Sequence, residues 1–275
     1  MVHALAAVVF AVLAWWLSTG AVIVIARVRV AHWLYVVGPA AALGIAGLIV
    51  LFVTADAVSA VAVYGAFVAA LAIWAFHEIT FLLGHVVGPR REPCPPDAQG
   101  KDRFRLAFAA VRDHELALFA TAAVLVVLFA GATNPFGWLI FALMWLMRLM
   151  TKLNVFLGAP NAISEILPRR MDYLTSYFRT DRVHAFFIVS VAAITCLFTV
   201  CVYMAATAVS PGMIAGWSLV ATFAFLGLVE HLFLVLPIRD SALWGWAVGR
   251  GETARFAETD ASNTKDKKAA APALS

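Results

Sequence analysis

Charge is scarce in this chain. Asp, Glu, Lys and Arg make up 13% of its 275 residues, and hydrophobic residues make up 63%. Soluble domains carry about 25% charged residues, so an ordinary globular domain is excluded and a polytopic membrane protein is expected. Cysteine is almost missing: Cys94, Cys196 and Cys201 are the three. The last two share one expected helix, about 140° apart around its axis, so they cannot bridge each other. CxxC spacing is absent, which removes that route to redox or zinc chemistry. A Gly-rich phosphate loop, a nucleophile elbow and a nucleic-acid module are absent too, so those functions have no residues to carry them. The net charge of +4 is therefore read as orienting helices and meeting anionic head groups.

What the chain has is long apolar runs. About 18 such residues suffice to span the hydrocarbon. Seven runs qualify: Ala4–Ala26, Leu34–Thr54, Val58–Leu83, Glu115–Gly131, Phe136–Leu153, Ala185–Ala208 and Met213–Leu236. All 20 Lys and Arg residues fall in or beside the first, third and fifth connections and in the tail. The second, fourth and sixth connections (55–57, 132–135 and 209–212) hold none. Because Lys and Arg accumulate in cytoplasmic loops, the expected fold is an all-α bundle of seven transmembrane helices, with a periplasmic N-terminus and a cytoplasmic C-terminus. The first run lacks a positive n-region and is too long for a signal peptide, so it reads as an uncleaved helix.

One integral domain is expected over residues 1–250. The Pro-rich, charged stretch 88–103 reads as a cytoplasmic loop. Residues 161–182 carry Met171, Leu174 and Phe178 at helical spacing, with Tyr173 and Tyr177 beside them and Arg169, Arg170 and Arg179 flanking. This stretch reads either as an interfacial helix or as a connector packed on the bundle. The polar tail 251–275 is expected to be disordered.

Three His/Glu pairs lie inside or at the ends of the apolar runs: His77-Glu78, His114-Glu115 and Glu230-His231. An ionisable group within the bilayer costs roughly 2.5 kcal/mol or more unless compensated, so such groups are functional candidates. Counting 1.5 Å per residue from the basic boundaries puts all three pairs about 9–15 Å deep in one leaflet. His85 lies seven residues after Glu78, within about 20° of the same face. Gly84 and Gly227 are expected to let helix backbones approach nearby.

Imidazole with carboxylate suits Fe, Zn or Mn, which makes Glu78, His85, His114, Glu115, Glu230 and His231 candidate metal ligands. His77, His85, His114 and His231 are equally candidate axial ligands of a porphyrin-type metal. The pattern lacks both the Glu-x-x-His spacing of di-iron bundles and His-Glu-x-x-His. A hydrogen-bonded network locking the helices, and a proton path, stay open. Arg148 is placed to neutralise one carboxylate, whereas Lys152 is expected to snorkel to the interface. Of the Trp residues, Trp15, Trp16, Trp74 and Trp145 are deep enough to pack in the core or against a pigment.

Three long motifs carry a resemblance: FHEITFLLGHVVGPRREPCP at 76–95, RFRLAFAAVRDHELAL at 103–118 and MRLMTKLNVFLGAPNAISEILP at 147–168. With YLTSYF at 173–178, they resemble the photosynthetic complex assembly protein 2 (PuhE) family over most of residues 1–250. The resemblance implies an inner-membrane protein of anoxygenic phototrophs, acting in reaction-centre or light-harvesting assembly or in bacteriochlorophyll supply. Its implied partners are those complexes' subunits and other assembly factors. It brings no established catalytic residues, so a metal-dependent oxidoreductase acting on a pigment, carotenoid or quinone remains the alternative.

Overall fold

A computed structural model describes residues 1–27, 33–162, 167–236, 243–244 and 246–247. Arg29, Arg239 and the expected disordered tail at 251–275 lie outside these residues. The described chain forms α1 (Val2–Ala26), α2 (Leu34–Thr54), α3 (Ala60–Leu82), α4 (Gly100–Phe129), α5 (Phe136–Leu157), a 3-10 helix (Arg169–Tyr177), α6 (Phe186–Thr207) and α7 (Pro211–Phe233). No strand occurs among the described residues.

Six of these helices are long and apolar enough to cross a membrane: α1, α2, α3, α5, α6 and α7. The protein is a multi-pass membrane protein. The fourth expected run, Glu115–Gly131, begins inside the 30-residue α4, whose first half extends the helix over the amphipathic stretch 103–112, and passes the helix end at Phe129 by two residues. That first half carries Lys101, Asp102, Arg103, Arg105, Arg112 and Asp113, and this charge sets α4 apart from the other six by composition.

α3 and α7 are the inner helices: 50% and 67% of their most apolar windows are buried, against 17% in α1, α2 and α6. Lipid offers helices no hydrophobic drive to associate, so close packing of small residues must hold them. α7 shows this device. A Cβ on Gly212 would strike the Val58 carbonyl, and one on Gly216 would strike the Phe136 ring. On α2, a Cβ on Gly47 would lie 2.8 Å from the Ala69 carbonyl oxygen of α3. Ser59 and Ser210 cap α3 and α7, accepting from the Ala62 and Met213 amides at 3.3 and 3.2 Å.

The connections sort into two ends. At one end, the Asn134 amide and side chain donate to the Ala55 and Thr54 carbonyls at 2.8 and 3.1 Å, joining two of the Lys/Arg-free turns. At the other, basic end, Arg170 donates to the carbonyls of Leu83 (3.3 Å) and Ala26 (3.1 Å), tying the 3-10 helix to α3 and α1. Arg103 reaches the Phe156 and Tyr177 carbonyls at 3.1 and 2.6 Å.

Among the described residues of 161–182 the regular element is the short 3-10 helix. A 3-10 helix has three residues per turn, so side chains three apart eclipse. Met171, Leu174 and Tyr177 therefore face the core together, packed with Phe81 of α3 and Ala110 of α4. Tyr177 takes the place that a period of 3.6 assigned to Phe178, and this connector packs on the bundle.

Candidate functional site

α3 stops one turn after Glu78. Gly84, at φ 81°, takes the left-handed conformation that ends a helix, and the His85 amide turns back to the Thr80 carbonyl at 2.9 Å. Gly84 thus works through its backbone; the nearest atom to a Cβ there is Arg170 Cδ at 3.8 Å, so no second helix approaches. Gly227 does pack closely, because a Cβ there would lie 2.6 Å from Met147 Sδ.

The chain leaving α3 is joined directly to the backbone of α4. The His114 amide donates to the Val87 carbonyl at 3.0 Å, and the Arg90 amide donates to the Ala109 carbonyl at 3.3 Å. Gly88 sits between these bonds, where any Cβ would meet the Ala109 and Ala110 backbone. This contact sets α4 against the end of α3 and brings His114 under Phe81. The two rings stack at 4.2 Å and 29°.

The polar groups then assemble from five helices. Glu78 of α3 places Oε1 3.9 Å from His114 Nε2 and Oε2 3.4 Å from Arg148 Nη2 of α5. The first separation is too long for a hydrogen bond. Glu115 of α4 pairs with Lys152 of α5, whose ammonium also lies 5.3 Å from the centre of the Phe81 ring. Glu230 of α7 accepts from Trp15 Nε1 of α1 at 3.2 Å. Arg148 is within electrostatic reach of Glu78, Glu230 and Glu115. Three carboxylates thus surround two cations. Glu78 Oε1, both His114 nitrogens and Arg148 Nε are buried without a hydrogen-bond partner, an uncommon state for buried polar atoms.

The remaining candidates make their direct contacts with other partners. His77 Nε2 meets the Thr121 hydroxyl at 3.0 Å. His231 is wholly buried, with Nδ1 2.8 Å from the Gly227 carbonyl oxygen of its own helix. His85 is exposed, its ring 4.8 Å from that of Trp33. Lys152 corrects the expectation: its charge is held by Glu115 and does not snorkel. Its spacing of four from Arg148 was the available signal, since it puts both cations on one face of α5. Thr121 and Trp15 had no sequence signal as partners.

Beside the cluster, a groove of about 560 Å³ runs between α4, α5 and the 3-10 helix. Phe81, Phe108, Phe119, Trp145 and Phe156 are among its walls, and Glu115, Arg148 and Lys152 are its charged members. The α4 side also carries the exposed side chains of Phe104, Phe108, Leu116 and Phe119. Small-molecule sites commonly measure about 300–1,000 Å³ and combine apolar walls with few polar groups.

Neither ligand set expected from the sequence is assembled at the groove. Among the described residues, no group of three or more His, Cys, Asp and Glu side chains is arranged to hold a metal ion. None of His77, His85, His114 and His231 lines the groove, so axial ligation of a pigment there has no imidazole.

Fold and site together define a multi-pass helical membrane protein with a buried acid–base cluster beside an apolar groove. The chain belongs to the DUF3623 family, described as a protein of unknown function, which matches residues 1–255. It is 36% identical over 237 residues to a Rhodobacter capsulatus protein named as an uncharacterized 30.4 kDa protein in the puhA 5' region; the match covers 84% of this chain and 86% of that relative. No solved structure matches the chain.

Proposed function

We propose that this protein is a non-catalytic assembly factor of the photosynthetic apparatus, which holds bacteriochlorophyll or a precursor in the groove between α4 and α5 and passes it to reaction-centre or light-harvesting subunits. The observation that carries the reading is the relative at 36% identity, whose name places it in the puhA 5' region. That context agrees with the resemblance to the PuhE family. The groove supplies the physical means. Its aromatic walls take a flat macrocycle, and the exposed α4 face lets a hydrocarbon tail extend into lipid. A bound tetrapyrrole would supply only its macrocycle and its carbonyl groups; the chain's residues bind it, orient it and keep water away.

The same reading places all seven helices across the inner membrane, N-terminus outside. α4 is about 45 Å long at 1.5 Å per residue, more than a hydrocarbon core of about 30 Å requires. The joining of the Lys/Arg-free turns at one end supports alternation of the helices, and the charge bias supports the orientation. The oxidoreductase alternative has no observation in its favour, since its metal lacks a ligand set among the described residues.

The test is deletion of the gene in a phototrophic host, with Glu78→Gln, Glu115→Gln and Glu230→Gln returned singly. Membrane absorption of assembled complexes should fall in the deletion strain and in at least one variant that accumulates normally. Unchanged complexes in the deletion strain would overturn the proposal. Unchanged complexes in all three variants would reduce the cluster to a helix lock.

A further inference from the structure

Lys152 brings an amine to the groove. Trp145, Arg148, Leu149, Lys152 and Phe156 recur every three or four residues along α5 and all line it, so Lys152 shares one face with apolar walls. Two ring contacts between α4 and α5 bracket that face: Phe104 with Phe156, centres 5.7 Å apart, and Phe119 with Trp145, 5.6 Å apart. The Lys152 ammonium is held by Glu115 and lies 5.3 Å from the centre of the Phe81 ring, and both of those residues line the groove too. The Lys152 side chain is 24% exposed, so a molecule lodged in the groove can meet it.

An amine acts as a nucleophile when it is desolvated in an apolar pocket, when a second cation stands near, and when a base can take its proton. Lys152 meets all three conditions. The walls are apolar, Arg148 is within electrostatic reach, and Glu115 accepts from Nζ. For a buried ion pair alone Arg is the better cation, being weakly hydrated and able to bind a carboxylate with two nitrogens. Lys adds what Arg lacks, an amine that condenses with carbonyls.

We infer that Lys152 is a covalent attachment site for an apolar aldehyde of the membrane, held in the groove as an imine with Glu115 as its counter-ion. Glu115 first takes a proton from the Lys152 ammonium. The freed lone pair forms a C–N bond to the aldehyde carbon, and a proton passes from nitrogen to the carbonyl oxygen. The proton on Glu115 then carries that hydroxyl away as water, leaving a protonated imine beside the carboxylate. The sum is ammonium plus aldehyde giving iminium plus water. The positive charge survives, so the ion pair outlasts the condensation, and apolar walls keep out the water that would reverse it. The inference goes beyond the proposed function and stands without it, since it needs the groove and the amine but no pigment.

The test uses the full chain in mild detergent with all-trans-retinal, an apolar aldehyde whose absorbance moves to longer wavelength in a protonated imine. Borohydride reduces the imine to a stable amine, and peptide mass spectrometry locates it. One equivalent should attach, at Lys152. Lys152→Arg keeps a cation beside Glu115 and has no amine to condense, so attachment there should be lost. Glu115→Gln should slow attachment about a hundredfold, the lesser end of what a general acid–base group supplies. No adduct, an adduct on the N-terminus or Lys101 with Lys152 unmodified, or equal attachment by Lys152→Arg would overturn the inference. Mapping on the unsubstituted chain keeps the test decisive should Lys152→Arg fold poorly. Bacteriochlorophyll retained without any retinal adduct would overturn this inference and leave the proposed function standing; an adduct on Lys152 with no pigment retained would do the reverse.

Discussion

Replacing Lys152 by Met should destabilise the bundle more than replacing Lys152 and Glu115 together. The Lys152 and Glu115 side chains are 24% and 11% exposed, so their ion pair is largely desolvated. Breaking such a pair from one side strands a charge and costs about 3–5 kcal/mol in well-buried examples. Two features lower that figure here: about a quarter of the Lys152 side chain is not buried by the protein, and Arg148 remains within electrostatic reach of Glu115. We therefore expect Lys152→Met to lose about 2–3 kcal/mol. Glu115→Gln with Lys152→Met removes both charges and keeps an amide against an apolar chain, for a loss of about 1 kcal/mol. The measurement is reversible unfolding in mixed micelles, followed by tryptophan fluorescence, for the two single variants and the double. A double variant as unstable as the sum of the singles would mean that the residues are uncoupled, and the buried pair would be refuted.

Gly212→Ala should lose at least about 1–3 kcal/mol, because its Cβ meets the Val58 backbone, while Gly38→Ala meets nothing within 4 Å and should be neutral or slightly stabilising; thermal unfolding of the pair checks this. Trp15→Phe keeps the edge contact with Trp244 but leaves Glu230 without its donor, so a loss of roughly 0.6–1.7 kcal/mol is expected in the same assay. His114→Leu is near in volume and removes two nitrogens that have no hydrogen-bond partner, so stability should change by less than about 1.5 kcal/mol while complex assembly falls. A large destabilisation by His114→Leu would assign that ring to the fold and not to function. Cys94, in the basic loop after α3, should react with a membrane-impermeant maleimide in inside-out vesicles and not in intact cells; labelling in intact cells would invert the proposed topology.

The helices were legible because each apolar run is long enough to span the hydrocarbon and is bounded by a short or charged connection. α2 runs over Leu34–Thr54, as its apolar run does, and α3, α6 and α7 depart from their runs by no more than three residues at either end. Ser59, Ser210 and Gly84 mark boundaries by mechanisms that need only local chemistry: side-chain caps for the serines and a left-handed turn for the glycine. α4 was legible as a helix longer than its apolar run, because 103–112 is amphipathic, and the helix starts at Gly100, three residues inside the expected loop 88–103. The loop after α3 pairs with that helix through the backbone of Val87 and Arg90, and backbone pairing of this kind leaves a trace in the sequence only as Gly88, the residue with no side chain to block it.

The site was legible in depth and not in direction. Counting residues from a boundary puts Glu78, His114, Glu115 and Glu230 at similar heights, and those four do gather around Arg148 and Lys152. Neighbours on a helix point about 100° apart, however, so the two members of a His/Glu pair leave the helix in different directions. α3 turns Glu78 towards Arg148 and His77 towards Thr121; α7 turns Glu230 towards Trp15 and closes His231 onto its own backbone. The pairs thus split along their own helices. The carboxylates meet cations supplied by α5, and the imidazoles of α3 and α7 go to other partners. A cluster built this way is an ion network, in which, among the described residues, no three His, Cys, Asp or Glu side chains are arranged to hold a metal ion.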